Sequence, residues 1–316
     1  METGPRAVAL GGGHGLAASL SALRQVTSDL TAIVTVADDG GSSGRLRREY
    51  GVLPPGDLRM ALAALCRDDE WGTTWSNVVQ HRFGGDRELA GHAVGNLLIV
   101  ALWDLLGDTV AGLEWVARLL GAHGRVLPMA SVPLDLAAEV EAADPASPDV
   151  ITVVRGQVAC ATTRGQVRSM SLVPADPPAC PEAVQAIGAA DWAVLGPGSW
   201  FTSVLPHLLV PGLARALLDT AARRIVVLNL APQPGETEGF SPARHLEVLA
   251  GHAPGLAIDV VLADTAAVAG TTAELEKAAV LLGGRLVLAD LAMGDGSPRH
   301  DPRRLAGAFA QIFEGE

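Results

Sequence analysis

The chain is poor in cysteine, in positive charge and in uninterrupted apolar sequence. Its three cysteines, Cys66, Cys160 and Cys180, are odd in number, widely spaced and without a CxxC pair, which excludes a disulfide framework and a thiolate metal cluster. Lys and Arg total 23 against 35 Asp and Glu, a formal charge of −12, with a pI near 5.1. Nucleic acid and anionic membrane surfaces select the opposite balance, so neither is expected as a main partner. The most apolar stretch, LLIVALWDLLG from Leu97, carries Asp104 and stops at Gly107, too short for a membrane span. Glycines from Gly11 onward break any signal-peptide pattern, so a cytoplasmic protein is expected. Internal repeats, a low-complexity tail, a nucleophile triad and metal-ligand spacing are also missing from the pattern.

What is present is a chain of 316 residues with 49% hydrophobic and 18% charged content, enough for a large buried core. Arg6 to Leu10 is a short apolar run; GGGHG follows, then LAASLSALRQV with helical spacing of Leu16, Leu20 and Leu23, then the β-forming TAIVTVA. This strand, glycine turn, helix, strand order opens a doubly wound α/β sheet. We therefore expect a Rossmann-like three-layer α/β fold with a mainly parallel sheet, residues 1–316 forming one nucleotide-binding domain. Residues 125–173, with LDLAAEVEA, ITVVRGQVAC and VRSMSLV broken by Asp-Pro, Ser-Pro and Arg-Gly, read as a β-rich antiparallel insertion within it.

The stretch Val34 to Arg59 anchors the functional reading. Asp38 and Asp39 arrive behind the second strand, followed by Gly40, Gly41, Ser42, Ser43, Gly44 and Arg45. Glycines and hydroxyls in a loop converge donors on an anion. Gly13, Gly15 and Ala18 fit G-x-G-x-x-A, and Asp38 lies ~20 residues further on, where a dinucleotide fold places its ribose-binding acid. The free N–H groups of a helix starting at Gly11, Gly12, Gly13, His14 and Gly15 favour phosphate. Asp57, after Gly56, can either cap a helix through Leu58 and Leu62 or contact a ligand. Arg59 has the stronger ligand claim, because a helix N-terminus disfavours a cation. His92 and Asn96 are four apart and can project from one side of a helix start.

Further along, Gly196, Gly198, Ser199, Thr202 and Ser203 form a second polar glycine turn behind the strand at Trp192 to Leu195. The strand RRIVVLNLA delivers Asn229 and then Gln233. AIDVVLAD and RLVLADLA are two more strands, and DPRRLAGAFAQIF a closing helix. If the sheet is parallel, four polar strand ends share one edge, where open α/β folds bind ligands.

The motifs GGGHGL, TVADDGGSSGRLR, PPGDLR, GHAVGNLL, GPGSWFTSVLPHLLVPG, QPGETEGF and RHDPRRLA resemble, in order and over nearly the whole chain, the gluconeogenesis-factor (YvcK-type) family. That resemblance implies a cytoplasmic regulatory binder of uridine-diphosphate sugars, notably uridine-diphosphate-N-acetylglucosamine, tied to carbon metabolism, cell-wall precursor supply and cell shape. It also implies kinship with the 2-phospho-L-lactate transferases, which use Mg²⁺. His14 stands where the family commonly shows threonine, Met60 where asparagine is usual, and His81 where tyrosine is common.

Two expectations follow. In the first, a UDP-sugar or related dinucleotide binds with no cofactor: Gly11 to Gly15 cradle its diphosphate, Asp38 meets hydroxyls, Ser42, Ser43, Arg45 and Arg59 neutralise charge, and Ser199 to Ser203 close the opposite wall. In the second, the chain is a Mg²⁺-dependent transferase with Asp39 and Asp57 as catalytic carboxylates and Asp39 as a metal ligand. A nicotinamide dehydrogenase ranks behind both, since no catalytic His or Lys with a partner acid emerges. A homodimer through an apolar surface is open.

Overall fold

The computed structural model describes residues 4–143, 150–163 and 165–315. Ten strands, β1 (Ala7–Gly11), β2 (Leu30–Val34), β3 (Arg125–Pro128), β4 (Asp135–Glu141), β5 (Ile151–Arg155), β6 (Gln166–Val173), β7 (Trp192–Leu195), β8 (Arg223–Val227), β9 (Val260–Asp264) and β10 (Arg285–Ala289), divide between two sheets. The larger has seven strands in the order β10-β9-β8-β7-β1-β2-β3, all paired parallel. Its central strands are buried along their whole length, as in Ala7–Gly11 and Leu30–Val34, because helices cover both faces of a parallel sheet. This is the Rossmann-like α/β fold expected from the sequence.

Strand order reverses between β1 and β7. At such a switch point the two outgoing loops diverge to opposite faces and leave a crevice at the carboxyl ends. The loops involved are Gly12 to Gly15 after β1 and Gly196 to Ser199 after β7, and β2 and β8 end on the same edge.

The smaller sheet is antiparallel, ordered β5-β4-β6. Its buried face is Leu136, Ala138, Val140, Met170 and Leu172. The insertion was expected to begin at residue 125, but β3 pairs parallel with β2 through Thr31↔Arg125 to Val34↔Pro128. It is the edge of the main sheet, and the antiparallel sheet starts at Asp135. The β-branched and apolar composition common to both sheets hid that boundary. The expected Asp-Pro and Ser-Pro breaks at 144–148 and Arg164 lie outside the described residues.

One other stretch differs from expectation. Residues 41–50, read as part of a binding loop, form a helix, Gly41–Tyr50, ended by Gly51 at φ 66°. Leu46 buries one side of it and Arg47 anchors to the Leu134 carbonyl and the Asp135 carboxylate. Residues 70–80 form the helix Glu70–Gln80, capped by Asp69 accepting from Gly72 N–H at 2.7 Å. Among the described residues no helix is long and apolar enough to cross a membrane.

Candidate functional site

The helix Gly13–Leu23 begins three residues before the expected Leu16, directly at the end of β1; its N-cap, Gly12, has no side chain to cap it, and the Gly13 amide is met by the Asp57 carboxylate. Its remaining first-turn N–H groups face outward with the positive end of the helix dipole. Gly13 has φ 57°, the left-handed region that favours glycine. Gly15 is required for another reason: a Cβ there would stand 2.2 Å from the Pro197 carbonyl oxygen and 2.6 Å from Gly198 Cα. The two glycine turns at the switch point thus interlock backbone to backbone. Ser19 Oγ adds a 2.8 Å bond to the Gly196 carbonyl.

The β7 turn is braced from β8. Asn229 accepts from Gly198 N–H at 2.9 Å and donates to its carbonyl at 2.8 Å, and Gln233 Oε1 accepts from Trp200 N–H. Gln233 Nε2 reaches Ser199 Oγ at 3.3 Å. Behind them sits Glu236, which the sequence reading missed: it accepts from Phe201 N–H at 3.1 Å and Thr202 Oγ1 at 2.7 Å. Burial pushes the Glu236 carboxyl above its ordinary value, opposed by the Thr202 hydroxyl and the Phe201 amide. Thr202, expected as a ligand donor, spends its hydroxyl on Glu236. Asn229 and Gln233 likewise hold the turn in shape.

The Val34 to Arg59 segment shows a similar division. Ser42 is buried and accepts from Asn96 Nδ2 at 3.0 Å and from Ala93 N–H, while lying 3.0 Å from His92 Nδ1. The helix here is Val94–Leu106, so His92 precedes it; His92 and Asn96 meet through Ser42 rather than by helical spacing. Arg45 donates to the Ala90 carbonyl at 2.7 Å. Asp38 Oδ1 accepts from Gly40 N–H and Asp39 Oδ1 from Val158 N–H at 3.0 Å. Asp39 therefore tethers the short helix that follows β5, which is its visible role.

The remaining groups gather around Gly12. A Cβ on Gly12 would lie 2.5 Å from Thr35 Cγ2, 2.6 Å from Asp57 Oδ2 and 3.4 Å from Ser203 Oγ. One on Gly56 would lie 2.3 Å from Ser43 Oγ and 3.0 Å from Asp38 Oδ2. Asp57 makes no capping bond to its helix, Gly56–Ala64, whose N-cap is Pro55; the capping alternative is set aside, and the carboxylate faces the β1 loop. Burial and the neighbouring Asp38 push the Asp57 carboxyl up to about 7, against the Gly13 amide and Arg59. Arg59 is buried and donates Nε to Asn96 Oδ1 at 3.0 Å. Its two terminal nitrogens have no hydrogen-bond acceptor among the described residues. Ser203 Oγ is equally uncommitted, and Thr35 Oγ1 is buried without a partner.

On the other side of Gly15 lies a cavity of about 510 Å³. His14, Gly15, Gly198, Asn229 and Gln233, all ligand-binding candidates from the sequence, line it together with Pro197, Pro232, Pro234, Met293, Pro298, Arg299 and His300. The last four were not expected as site residues. Their sequence signal was the RHDPRRLA motif, which marked family resemblance without indicating that residues 293–302 fold back against the helix Gly13–Leu23. His300 is buried, its Nε2 has no partner and burial lowers its pKa to about 4, so it lines the cavity as a neutral ring. Asp38, Asp39, Ser42, Ser43, Arg45, Asp57, Arg59, His92 and Asn96 do not line this cavity; they lie on the Gly12 side of the same loop. Gly11, Gly196 and Gly41 contribute backbone: Gly11 ends β1, Gly196 sits at φ 78° and Gly41 at φ 46°.

Comparison with known proteins agrees with this architecture. A family model described as 2-phospho-L-lactate transferase CofD matches residues 7–287. A Mycobacterium tuberculosis protein named "Putative gluconeogenesis factor" is 56% identical over 304 residues, covering 96% of this chain and 88% of that protein. A Listeria monocytogenes protein named "Gluconeogenesis factor" is 36% identical over 325 residues, covering 100% of this chain and 98% of its own. A crystal structure of a UPF0052 family member from Bacillus halodurans superposes with a TM-score of 0.85 at 33% identity, covering 98% of this chain and 99% of that one.

Proposed function

The chain belongs to the 2-phospho-L-lactate transferase CofD family, in company with the gluconeogenesis factors, and from that premise we propose that it is a nucleotide-sugar-binding regulatory protein. The observation that carries this is the interlock of the two glycine turns at the strand switch point. It leaves the N-terminus of Gly13–Leu23 between a largely apolar cavity and a polar cluster. A diphosphate suits the helix N-terminus and the free nitrogens of Arg59. A planar base suits walls of proline and methionine, and sugar hydroxyls suit Asp38, Asp57 and Ser203. Most other polar side chains here brace backbone, as binding requires and as a reaction alone would not explain. Uridine-diphosphate-N-acetylglucosamine is the proposed ligand, and coupling of carbon supply to cell-wall precursors, in the cytoplasm, the proposed role.

Calorimetric titration of the purified chain with uridine-diphosphate sugars tests the reading. Saturable binding that weakens in Arg59→Ala supports it, and flat titrations at saturating concentration remove it.

One observation favours a second reading, a Mg²⁺-dependent transferase. Asp57, with a pKa near 7 beside Asp38, is suited to exchange a proton near neutrality. Among the described residues no three His, Cys, Asp or Glu side chains gather as metal ligands. Mg²⁺ fits here only as an ion shared between one or two carboxylates and the ligand's phosphates, the usual way it is held. Asp38 and Asp57 are better placed for this than Asp39, because they neighbour each other beside Gly56 and Gly12 while Asp39 is turned to the Val158 segment. Mg²⁺-dependent group transfer to a phospholactate-type or deazaflavin acceptor, lost in Asp57→Asn, would establish this alternative.

A further inference from the structure

After the helix Glu70–Gln80 the chain makes an exposed loop and then enters the helix Val94–Leu106. The loop is closed at its base: Arg82 bridges Ala93 antiparallel, Phe83 N–H donates to the His92 carbonyl, and Gly91 N–H donates to the Phe83 carbonyl at 2.7 Å. Ser42 holds the returning stretch through His92, Ala93 and Asn96, and Arg45 holds it through the Ala90 carbonyl. Residues 90–96 are thereby fixed in place.

Two guanidinium groups rest on that stretch. Arg59, only 5% exposed, runs along it: a Cβ on Gly95 would lie 2.9 Å from Arg59 Cδ, and Arg59 Nε donates to Asn96 Oδ1. Arg82 is exposed and donates one terminal nitrogen to the Gly91 carbonyl at 3.0 Å. Each is tied by one nitrogen to a neutral oxygen, and neither makes an ion pair among the described residues. Yet the chain has 35 acidic residues against 23 Lys and Arg, and arginines elsewhere, such as Arg6, Arg47 and Arg125, do pair with carboxylates. The two charges also act on each other. Burial and then Arg82 lower the Arg59 pKa, while Asp57 and Asp38, which oppose them, each count for less than Arg82. A buried cation beside a second cation, with no acid bonded to either, is electrostatically incomplete, and a bound anion completes it.

We propose that Arg82 binds the ligand's phosphates together with Arg59, the two guanidinium groups acting as one clamp beside the Gly12 cluster. This rests on the nucleotide-sugar reading above and adds to it a residue outside the glycine turns. The diphosphate of a nucleotide sugar carries two negative charges, which two guanidinium groups match, and each has free nitrogens to meet phosphoryl oxygens. Arg59 is the fixed donor, oriented by Asn96; Arg82 is the one that an incoming ligand meets from solvent. The Ser42 and Arg45 bonds act through residues 90–96 as positioning contacts.

Calorimetric titration of Arg82→Ala, Arg82→Lys and Arg87→Ala with uridine-diphosphate-N-acetylglucosamine and with pyrophosphate tests the clamp. Arg82→Ala should weaken nucleotide-sugar binding roughly tenfold or more, and Arg82→Lys by less, since lysine keeps the charge without the fork. The loss of affinity with added salt should be shallower in Arg82→Ala, because one charge has gone. Its thermal midpoint should change little, as the side chain is exposed. Arg87→Ala removes another exposed arginine of the same loop and should alter affinity by less than about twofold, as a screened charge would. Undiminished nucleotide-sugar binding in Arg82→Ala overturns the clamp and leaves the nucleotide-sugar reading standing. An equal loss in Arg87→Ala overturns it as well, since general attraction to the loop then explains both. If the unaltered chain does not bind the nucleotide sugar, that reading fails and pyrophosphate alone decides the clamp. Pyrophosphate binding that Arg82→Ala weakens upholds a clamp for another diphosphate; a titration that is flat, or indifferent to Arg82, overturns it.

Discussion

Gly15 and Pro197 touch backbone to backbone across the strand switch point: a single methyl on Gly15 would stand 2.2 Å from the Pro197 carbonyl oxygen. Two loops separated by about half the chain are thereby fixed as one surface. Gly15→Ala must displace the β7 turn, because neither backbone can yield as a side chain would. A loss of ~1–3 kcal/mol in urea denaturation is expected, together with weakened binding of uridine-diphosphate sugars by calorimetry.

Asp57 sets a pH dependence. Its carboxyl is raised from 3.8 in the unfolded chain to about 7 in the fold. Between these values the native state holds a proton that the unfolded state has lost, so stability falls as pH rises from about 4 to 7 and levels off above. At ~1.4 kcal/mol per unit, and reduced for the partial exposure of the side chain, the fall is about 2–4 kcal/mol. Asp57→Asn should flatten that slope and be the more stable protein at pH 8, as read from denaturation midpoints across pH. Binding of an anionic ligand should weaken as pH rises through about 7, where the folded chain's Asp57 loses its proton, and much less in the variant.

Thr202 and Ser203 are neighbours with opposite expected behaviour. The Thr202 hydroxyl donates to buried Glu236 at 2.7 Å, so Thr202→Val leaves a carboxyl oxygen without its donor and should cost ~1–3 kcal/mol of stability. Ser203 Oγ points to the Gly12 side without a protein partner, so Ser203→Ala should leave the melting temperature nearly unchanged and reduce ligand affinity. Parallel melting curves and titrations on the two variants separate the roles.

Ser42 ties the helix Gly41–Tyr50 to residues 92–96. Ser42→Ala strands the Asn96 amide, the Ala93 N–H and the His92 ring in a buried place. A cost of ~2–3 kcal/mol is expected, with an unchanged denaturant slope because the fold exposes the same surface. Affinity should fall as well, since Asn96 orients Arg59. Recovery of stability but not of affinity in a Ser42→Thr variant would show that the two effects are separable.

The sequence by itself determined the sheet and its chemistry-bearing edge. Apolar β-formers in RAVAL, TAIVTVA, WAVL and RRIVV must be buried on both faces, and the glycine turn after the first strand can lead only into a helix and a parallel return, so the α/β fold and the polar strand ends were legible. Local pattern could not say which polar groups remain available, because hydrogen bonds between distant segments decide that. Ser42, Thr202, Asn229 and Arg45 looked like ligand donors and proved committed to Asn96, Glu236, Gly198 and Ala90. Asp57 was open between a helix cap and a ligand contact, and only the packing that turns it to Gly12 separated the two. Glu236, Arg299 and His300 came into view only through packing, since residues 236 and 293–302 reach the β1 and β7 loops from the far end of the chain. Burial and partnering are properties of the folded whole, and they separated the side chains that hold this site in shape from those free to meet a ligand.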